Sequence, residues 1–430
     1  MISSLSRCRA FVGAALVAIA LSACGPARTL PPEDTEPVRI GLIVPLSGEL
    51  GADGPSWRDS VRVAVREVNA AGGVLPGRPV ELFIENSEST AEQGVASARR
   101  LVDDEGVVAI IGDAASGSTI AIYEMVTHPA GVILGSGLST SPILTEINEA
   151  HLAAGEPISF FRTVPPDDGQ YTALAGAMYD RACRSISILY ADNDYGTPFF
   201  AGVRFAFEQL GGVVTPRDGV PFTEGLSEYR AQVDTVAAAL PDCIALIAYP
   251  QSAGIIVNNW AALAAPPPVR WFGTDGIRQP GFATEVGNAM LIDGFLGTSP
   301  LTEPMSPAYN RFRAQYEAAF GSMPVAFTST LYDATALMLL GIAKAGTDRD
   351  PDAIWQAILE LNDPGGTVVQ AGELAEGLRL VRAGRPMNYE GASGPVVILP
   401  NGDVEGVFEL WRFDATSATE GTFVTDTILN

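Results

Sequence analysis

The sequence has 430 residues, of which 47% are hydrophobic and 18% charged, so a disordered or collagen-like chain is excluded. The 26 Lys and Arg stand against 50 Asp and Glu, a formal charge of -24, which argues against binding nucleic acid or attaching to anionic lipid through a basic patch. At the usual ~100–200 residues per domain, the length allows two or three domains.

The amino terminus has the pattern of an exported protein. A short basic region precedes an apolar stretch over residues 10–20, far shorter than the ~20 residues of a transmembrane helix. Residues 21–24, Leu-Ser-Ala-Cys, resemble the bacterial lipobox. We therefore expect residues 1–23 to be a lipoprotein signal peptide, Cys24 to be lipidated, and residues 24–37 to be a Pro-rich tether. A plain secretory signal with a chance Cys is the alternative.

The body then alternates hydrophobic runs with helical spacing, which predicts parallel sheets covered on both faces by helices. The predicted strands, in chain order, are 38–44, 80–85, 107–112, 132–134, 185–191, 213–220, 244–249, 270–273, 396–399 and 406–413. The predicted helices are 56–71, 90–105, 116–127, 170–182, 197–210, 228–240, 254–263, 307–320, 328–344 and 351–361.

Two cysteines remain in this body, Cys183 and Cys243, each just ahead of a predicted strand. If those strands are parallel neighbours, both residues lie at the same end of the sheet and can form a disulfide. Two buried free thiols are the alternative.

Signatures of catalysis and of metal or cofactor binding are missing from the sequence. The chain has two histidines, His128 and His151, and neither has a partner at metal-ligand spacing. No nucleophile elbow, P-loop or dinucleotide fingerprint occurs. We therefore expect no cofactor, no metal and binding instead of turnover, although 50 acidic residues leave a paired-carboxylate enzyme open.

Ligands of open α/β sheets bind beyond the carboxyl ends of the strands. Two turns at predicted strand ends consist mostly of residues with small or hydroxyl side chains. They are 113–119, with Ala114 and Ser116, and 135–142, with Ser139 and Thr140. Free N–H groups at a helix start suit a carboxylate. An ordinary helix cap and a polar loop are the alternative interpretations.

The second half offers Tyr195 and Asp275 after strands, and Trp57 lies in the first helix. Tyr195 can cover a ligand, and the lone carboxylate of Asp275 suits an ammonium group. An Asp-Gly turn explains Asp275 equally well. Trp57 either lines the pocket or packs under the sheet.

Several segments taken together resemble the type I periplasmic solute-binding proteins of ABC importers, in the Leu/Ile/Val-binding branch. The similar segments are 40–48 (Ile-Gly-Leu-Ile-Val-Pro-Leu-Ser-Gly), 67–74, 161–163, 194–196, 273–276 and 389–394. The resemblance runs from about residue 38 to about residue 413.

The resemblance implies an α/β fold of two doubly wound parallel-sheet lobes with a ligand cleft between them. Three hinge crossings are expected near 160–166, 292–300 and 388–396. Lobe 1 is then 38–160 plus 300–388, and lobe 2 is 166–292 plus 396–430.

The resemblance also implies residue roles. Ser116, with Ser139 and Thr140, corresponds to the group that binds a ligand carboxylate, Tyr195 to a Tyr of the facing lobe, and Asp275 to an acid that pairs with the ligand amine. Typical Leu/Ile/Val binders have Glu in place of Asp275. Many relatives have an aromatic residue where this chain has Asp53. Both departures speak against a Leu/Ile/Val preference.

The implied function is a lipid-anchored, monomeric receptor in the periplasm or cell envelope. It binds a small amino acid or related compound and delivers it to an ABC permease. The alternatives are a sensory binding module for a membrane receptor, a secreted enzyme on this fold, and a scaffold lipoprotein with a degenerate cleft.

Overall fold

The structure is a computed structural model that describes residues 35–416 and 421–429. The expected signal peptide, Cys24 and most of the tether lie outside the described residues. Within the described part, no helix combines the length and the apolar character that crossing a membrane requires.

The first part of the chain forms a five-stranded parallel sheet in the order β2-β1-β3-β4-β5, with helices on both faces. Its strands are β1 Val38–Val44, β2 Val80–Asn86, β3 Ala109–Ile111, β4 Ile133–Ser136 and β5 Phe160–Arg162. Its helices are α1 Gly54–Ala70, α2 Ala91–Arg99, α3 Ser116–Ile122, α4 His128–Ala130 and α5 Ile143–Ala154. Two π-helical turns, Arg100–Asp104 and Tyr123–Thr127, extend α2 and join α3 to α4.

The second part forms the parallel portion of a larger sheet. Its strands are β6 Ser185–Ala191, β7 Val213–Val214, β8 Val220–Phe222, β9 Cys243–Ile247, β10 Arg270–Gly273 and β11 Leu296–Pro300. Its helices are α6 Asp168–Asp180, α7 Gly196–Gln209, α8 Arg230–Ala239, α9 Pro250–Ala261 and α10 Pro280–Val286. Single turns of 3-10 helix follow β10 at Asp275–Ile277 and α10 at Ala289–Leu291.

The last part contributes to both halves. Its helices are α11 Pro307–Phe320, α12 Thr328–Ala345, α13 Pro351–Leu359 and α14 Leu374–Arg382. Its strands are β12 Thr367–Gln370, β13 Met387–Gly391, β14 Gly394–Pro395, β15 Phe408–Asp414 and β16 Thr422–Leu429. Strands β15 and β16 add antiparallel to the free edge of β11, giving the order β16-β15-β11-β10-β9-β6-β7, with β8 also on β6.

The chain passes between the two sheets three times. After β5 it enters α6, which packs on α7 and β11, and after β11 it returns so that α12 packs on α1, β3 and β4. After β14 it goes back to β15, next to β11. The two-lobed α/β fold is thus present, and the exact residue bounds expected for each lobe stay a prediction.

Helix α12 forms the centre of the first half's core. Sixteen of its 18 residues are buried, including the polar side chain of Asp333. The Asp333 carboxylate accepts hydrogen bonds from the Tyr389 hydroxyl (2.7 Å), from the backbone N–H groups of Ala392 and Ser393 (2.8 Å each) and from the Ser393 hydroxyl (2.6 Å). A carboxylate satisfied in this way is tolerated in a core, and it fixes the turn between β13 and β14 to the helix.

Two predicted strands are wrong. The strand expected over 213–220 is split into β7 and β8, because Pro216 has no N–H to pair and Gly219 adopts a left-handed φ of 64°. The run 396–399 makes no ladder, although Val396 and Ile398 are buried and Val397 is half exposed. The alternating hydrophobicity of this run arises because one side of the segment is buried, although no strand pairs with it. Strand β10 and helix α11, in contrast, have the bounds predicted from the sequence.

Cys183 and Cys243 are joined by a disulfide in the structure, with Cα atoms 5.8 Å apart. Strands β6 and β9 are parallel neighbours, and Ile186 pairs with Cys243 in their register. The bond therefore lies at the amino ends of these strands, at the edge opposite to their carboxyl ends.

Candidate functional site

The carboxyl ends of both parallel sheets face each other across a narrow cleft. A cavity of about 30 Å³ remains there, which is space for about two water molecules at ~10–15 Å³ each. The residues that line it are Leu50, Trp57, Ala114, Leu138, Tyr249, Asp275, Gly276, Gln279 and Phe327. Asp275 is the one charged residue among these nine, and large apolar or aromatic side chains fill most of the remaining wall.

Asp275 begins the 3-10 turn after β10 and is 4% exposed. Its Oδ1 accepts a hydrogen bond from the Tyr195 hydroxyl at 2.8 Å and from the side-chain amide of Gln170 at 3.1 Å. Burial raises the pKa of Asp275 to about 6, although the hydrogen bonds from Tyr195 and Gln170 lower it. A cationic group in the cavity would therefore find a desolvated carboxylate already held in place.

A second buried carboxylate, that of Asp167, lies close to Asp275. Neither of its oxygens has a hydrogen bond of good geometry. Burial, and then the charge of Asp275, raise the pKa of Asp167 well above its usual range, while the facing Thr140 hydroxyl lowers it. The charge on one of these buried carboxyl groups disfavours ionisation of the other, so a cation near the pair would be stabilised.

Ser116, which is expected to hold a carboxylate, is buried and is not among the residues that line the cavity. Ser116 is the first residue of α3, and its backbone N–H lies near the Tyr249 hydroxyl. Burial raises the pKa of Tyr249 well above its usual range, and the Ser116 N–H lowers it in part. The Ser116 hydroxyl accepts a long hydrogen bond of 3.4 Å from the Ser141 backbone N–H.

Ser139 and Thr140 are buried behind the cavity wall. The Ser139 hydroxyl is already bonded to the Thr119 hydroxyl (2.6 Å) and to the carbonyl of Asp113 (2.9 Å). The Thr140 carbonyl accepts the Asp167 backbone N–H at 3.0 Å. The Ser139 side chain and the Thr140 backbone thus support the turn that follows β4, and neither residue is among those that line the cavity.

Trp57 and Ala114 do line the cavity, from α1 and from the turn after β3. The Trp57 indole N–H donates to the Ala326 carbonyl at 2.9 Å, which fixes its ring as a wall of the cleft and joins α1 to the segment before α12. Tyr195 lies one layer behind. Its ring stacks on Tyr249, with centroids 5.3 Å apart, and its hydroxyl reaches Asp275.

The two halves touch directly around the cavity. The Ser141 hydroxyl donates to the Asp194 carbonyl at 2.6 Å. Asp53, from the turn before α1, meets the backbone of Gly281 in α10. Burial raises the pKa of Asp53 to about 7, and the Gly281 N–H lowers it. The structure is therefore a closed form of the cleft.

Sequence reasoning did not single out four residues of the site: Tyr249, Gln170, Gln279 and Phe327. Tyr249 and Gln279 each follow a strand of the second sheet, so a systematic inspection of all strand ends would have found them. Phe327 precedes α12 with a left-handed φ of 66° and comes from a segment remote in sequence. The Gln279 Oε1 is buried without a hydrogen-bond partner, which leaves one acceptor free beside the cavity.

The chain is similar to characterised proteins over most of its length. The family model described as "Periplasmic binding protein" matches residues 37–403. The substrate-binding protein BasB of a chemotactic signal transduction system from Halobacterium salinarum is 28% identical over 369 residues, which are 84% of this chain and 83% of that relative. The Leu/Ile/Val-binding protein BraC3 from Rhizobium johnstonii is 26% identical over 327 residues, 75% of this chain and 83% of that relative.

Solved structures show the same architecture. The leucine-binding protein LivK from Thermotoga maritima superposes with a TM-score of 0.75 at 23% identity, covering 91% of this chain and 99% of that chain. The two lobes, the parallel sheets and the cleft between their carboxyl ends are those of type I periplasmic binding proteins. The chain therefore belongs to the periplasmic binding protein family, as an extracytoplasmic solute receptor and not an enzyme.

Proposed function

We propose that this receptor binds a small amino acid, or a closely related compound with an amine and a carboxylate, in the cleft between its lobes. The observation that carries the proposal is Asp275, a buried carboxylate that Tyr195 and Gln170 orient and that is the one charge on the cavity wall. The solute amine would pair with Asp275 and also use the free acceptor of Gln279.

The carboxylate of the solute would take the place of the Tyr249 hydroxyl at the Ser116 N–H, at the start of α3. The turn 135–142, with Ser139 and Thr140, supports this position from behind. Trp57, Leu50, Leu138 and Phe327 occupy the space that a long aliphatic side chain would need. We therefore propose a preference for glycine, alanine or serine over leucine.

The test is a binding panel on tag-free protein that begins at Gly25 and has been unfolded and refolded to remove bound solute. Glycine, alanine, serine, leucine, acetate, propionate and acetamide are compared by thermal shift and calorimetry. A solute at 100 times its Kd raises stability by ~2.7 kcal/mol, an easily measured shift.

We expect Asp275→Asn to weaken binding of the small amino acids by about 10- to 100-fold, since a buried charge-assisted hydrogen bond is lost. Asp234→Asn, which removes an exposed charge on α8, is the matched control and should change nothing. Equal affinity of the Asp275→Asn and control variants, or binding of propionate as tight as that of alanine, would contradict the amine role.

We propose further that the receptor is lipidated at Cys24 and delivers its solute to an ABC permease, which fits its relation to the Leu/Ile/Val-binding protein BraC3. Membrane fractionation with a Cys24→Ser variant tests the anchor, and the variant should be recovered in the soluble fraction. The relation to BasB favours a second candidate, a sensory module. Loss of growth on the solute after gene deletion supports transport, whereas loss of chemotaxis alone supports sensing.

A further inference from the structure

The two histidines of the sequence, 23 positions apart, lie side by side on the surface of the first half. Their ring centroids are 3.9 Å apart, and Nδ1 of His151 lies 2.8 Å from a carboxylate oxygen of Glu156. One ligand atom from each of the three residues falls within 4.8 Å of the others. Sequence spacing did not predict this group, because α5 and the turn that follows it fold back against α4.

Local structure fixes all three side chains. The ring of Tyr123 is buried and packs edge-on against both histidines, with centroids 5.4 and 6.2 Å away. Its hydroxyl donates to Asn148 at 2.8 Å. Helix α5 ends at Gly155, whose left-handed φ of 74° turns the chain so that the Glu156 N–H donates to the His151 carbonyl at 2.9 Å. This turn holds Glu156 beside His151, which lies in the last turn of α5.

The chemistry of the group suits a borderline divalent metal ion. Two imidazoles and one carboxylate are typical ligands of Zn²⁺ and Cu²⁺, whereas Mg²⁺ and Ca²⁺ prefer oxygen alone. His151 also lies in the last turn of α5, where the helix dipole favours a cation.

We propose that His128, His151 and Glu156 form a surface site for a divalent transition metal ion such as Zn²⁺, with water completing the coordination. Tetrahedral Zn²⁺ at ~2.0–2.1 Å from each ligand needs donor atoms about 3.3 Å apart, so side-chain adjustments of roughly 1 Å suffice. Among the described residues this is the single group of three such side chains close enough to share an ion.

The site is remote from the cleft. His128 precedes β4 and Glu156 precedes β5, so the group lies at the amino ends of these parallel strands, whereas the solute cavity lies beyond their carboxyl ends. A bound ion would tie the end of α5 to α4 and would leave the solute-binding residues untouched. The proposal thus stands or falls independently of the solute receptor's specificity.

The test uses tag-free, chelator-treated protein, because a His-tag would bind the same ions. Calorimetric titration with Zn²⁺ should show one site per chain, and Cu²⁺ bound to the protein should show nitrogen coordination by electron paramagnetic resonance. The chain has no other histidine, so an imidazole nitrogen signal comes from His128 or His151.

His128→Ala and His151→Ala should each weaken Zn²⁺ binding more than about 10-fold and reduce the nitrogen signal, and Glu156→Gln should weaken it at least several-fold. Glu149→Gln removes an exposed charge from the same helix and serves as the control, with no effect expected. Unchanged melting of the metal-free variants shows that they fold. Absence of stoichiometric binding, or histidine variants that bind Zn²⁺ as well as the wild type, would overturn the proposal.

Discussion

The carboxylate of Glu49 accepts two hydrogen bonds from Ser252, one from its backbone N–H at 2.9 Å and one from its hydroxyl at 2.6 Å. It also accepts the backbone N–H of Gly225 at 3.0 Å. Glu49 comes from the turn after β1, whereas Ser252 lies in the first turn of α9 and Gly225 in the loop after β8. A single carboxylate of the first half thus bonds to two segments of the second and caps a helix N-terminus.

These contacts exist when the cleft is closed, so Glu49→Gln should favour the open form and weaken solute binding by about tenfold. The exposed Glu92→Gln change in α2 is the control. Small-angle scattering of the solute-free variants, together with calorimetry, measures both effects. Wild-type affinity and a wild-type radius of gyration in Glu49→Gln would show that this contact does not contribute to closure.

Tyr195→Phe removes the hydroxyl that donates to Asp275 at 2.8 Å and lies 2.8 Å from the Thr274 hydroxyl. Because that hydrogen bond lowers the pKa of Asp275, its loss should raise the pKa above its present value of about 6. Amine binding requires the ionised carboxylate. We therefore expect affinity to fall below pH 6 in the wild type and to begin falling at a higher pH in the variant. Tyr190→Phe, on the neighbouring strand β6, should keep the wild-type pH profile.

Stability should rise as the pH is lowered from 8 toward 6. Burial raises the folded-state pKa of Asp53 and of Glu224 to about 7, with Glu49 adding to the effect on Glu224. A carboxyl group whose pKa is higher in the folded than in the unfolded chain contributes stability when protonated, and that contribution is lost as the pH rises through 7. Each pKa unit by which folding raises the pKa of such a group corresponds to at most about 1.4 kcal/mol of unfolding free energy.

Chemical denaturation at pH 6 and pH 8 measures the difference, and Asp53→Asn should make it smaller. The exposed Asp234→Asn change should leave it as in the wild type. If Asp53→Asn left the pH dependence of the unfolding free energy unaltered, Asp53 would be ionised in both the folded and the unfolded state over this pH range.

Reduction of the disulfide, or the double change Cys183→Ser and Cys243→Ser, should lower the free energy of unfolding by about 4 kcal/mol, the value expected from chain entropy for a loop of 60 residues. Solute affinity should persist, because the bond lies at the edge of the sheet away from the cleft. Denatured, unreduced protein that begins at Gly25 should contain no free thiol, and two free thiols would contradict the bond.

Asp333→Asn should destabilise the protein by about 2–4 kcal/mol. Each carboxylate oxygen of Asp333 accepts two hydrogen bonds, and the amide NH₂ that replaces one oxygen would face two donors without being able to accept from them. Urea unfolding measures this loss. Asp352→Asn, an exposed position in the first turn of α13, should cost far less. A similar loss in both variants would indicate that the buried network contributes little.

Much of the fold could be predicted because each strand and its helix are encoded locally. The β-branched run of β1 and the N-terminal proline of α11 are examples that need no distant contact. The run 396–399 shows where such reasoning ends, since whether an extended segment joins a sheet depends on a neighbour elsewhere in the chain. The elements that were not predicted include strands β5, β11 to β14 and β16 and helices α5, α10 and α14.

The candidate site was predictable to the extent that it lies at strand ends. Asp275, Trp57 and Ala114 meet around one cavity, and their roles in binding stay a prediction. Gln170 and Phe327 come from segments whose position depends on how the halves pack. The sequence around each of them therefore gives no indication that it lies at the site. The same holds for His128 and His151, which only tertiary packing brings together.

The late position of α12 in the sequence determines when the first half can complete its core. This helix covers β3 and β4, yet it is translated only after both sheets' parallel strands have been made. Until then the apolar face formed by residues such as Ile111 and Ile133 has no lasting cover. The first half can therefore mature only late in biosynthesis, and a chain that stops before residue 328 should aggregate instead of forming an independent lobe.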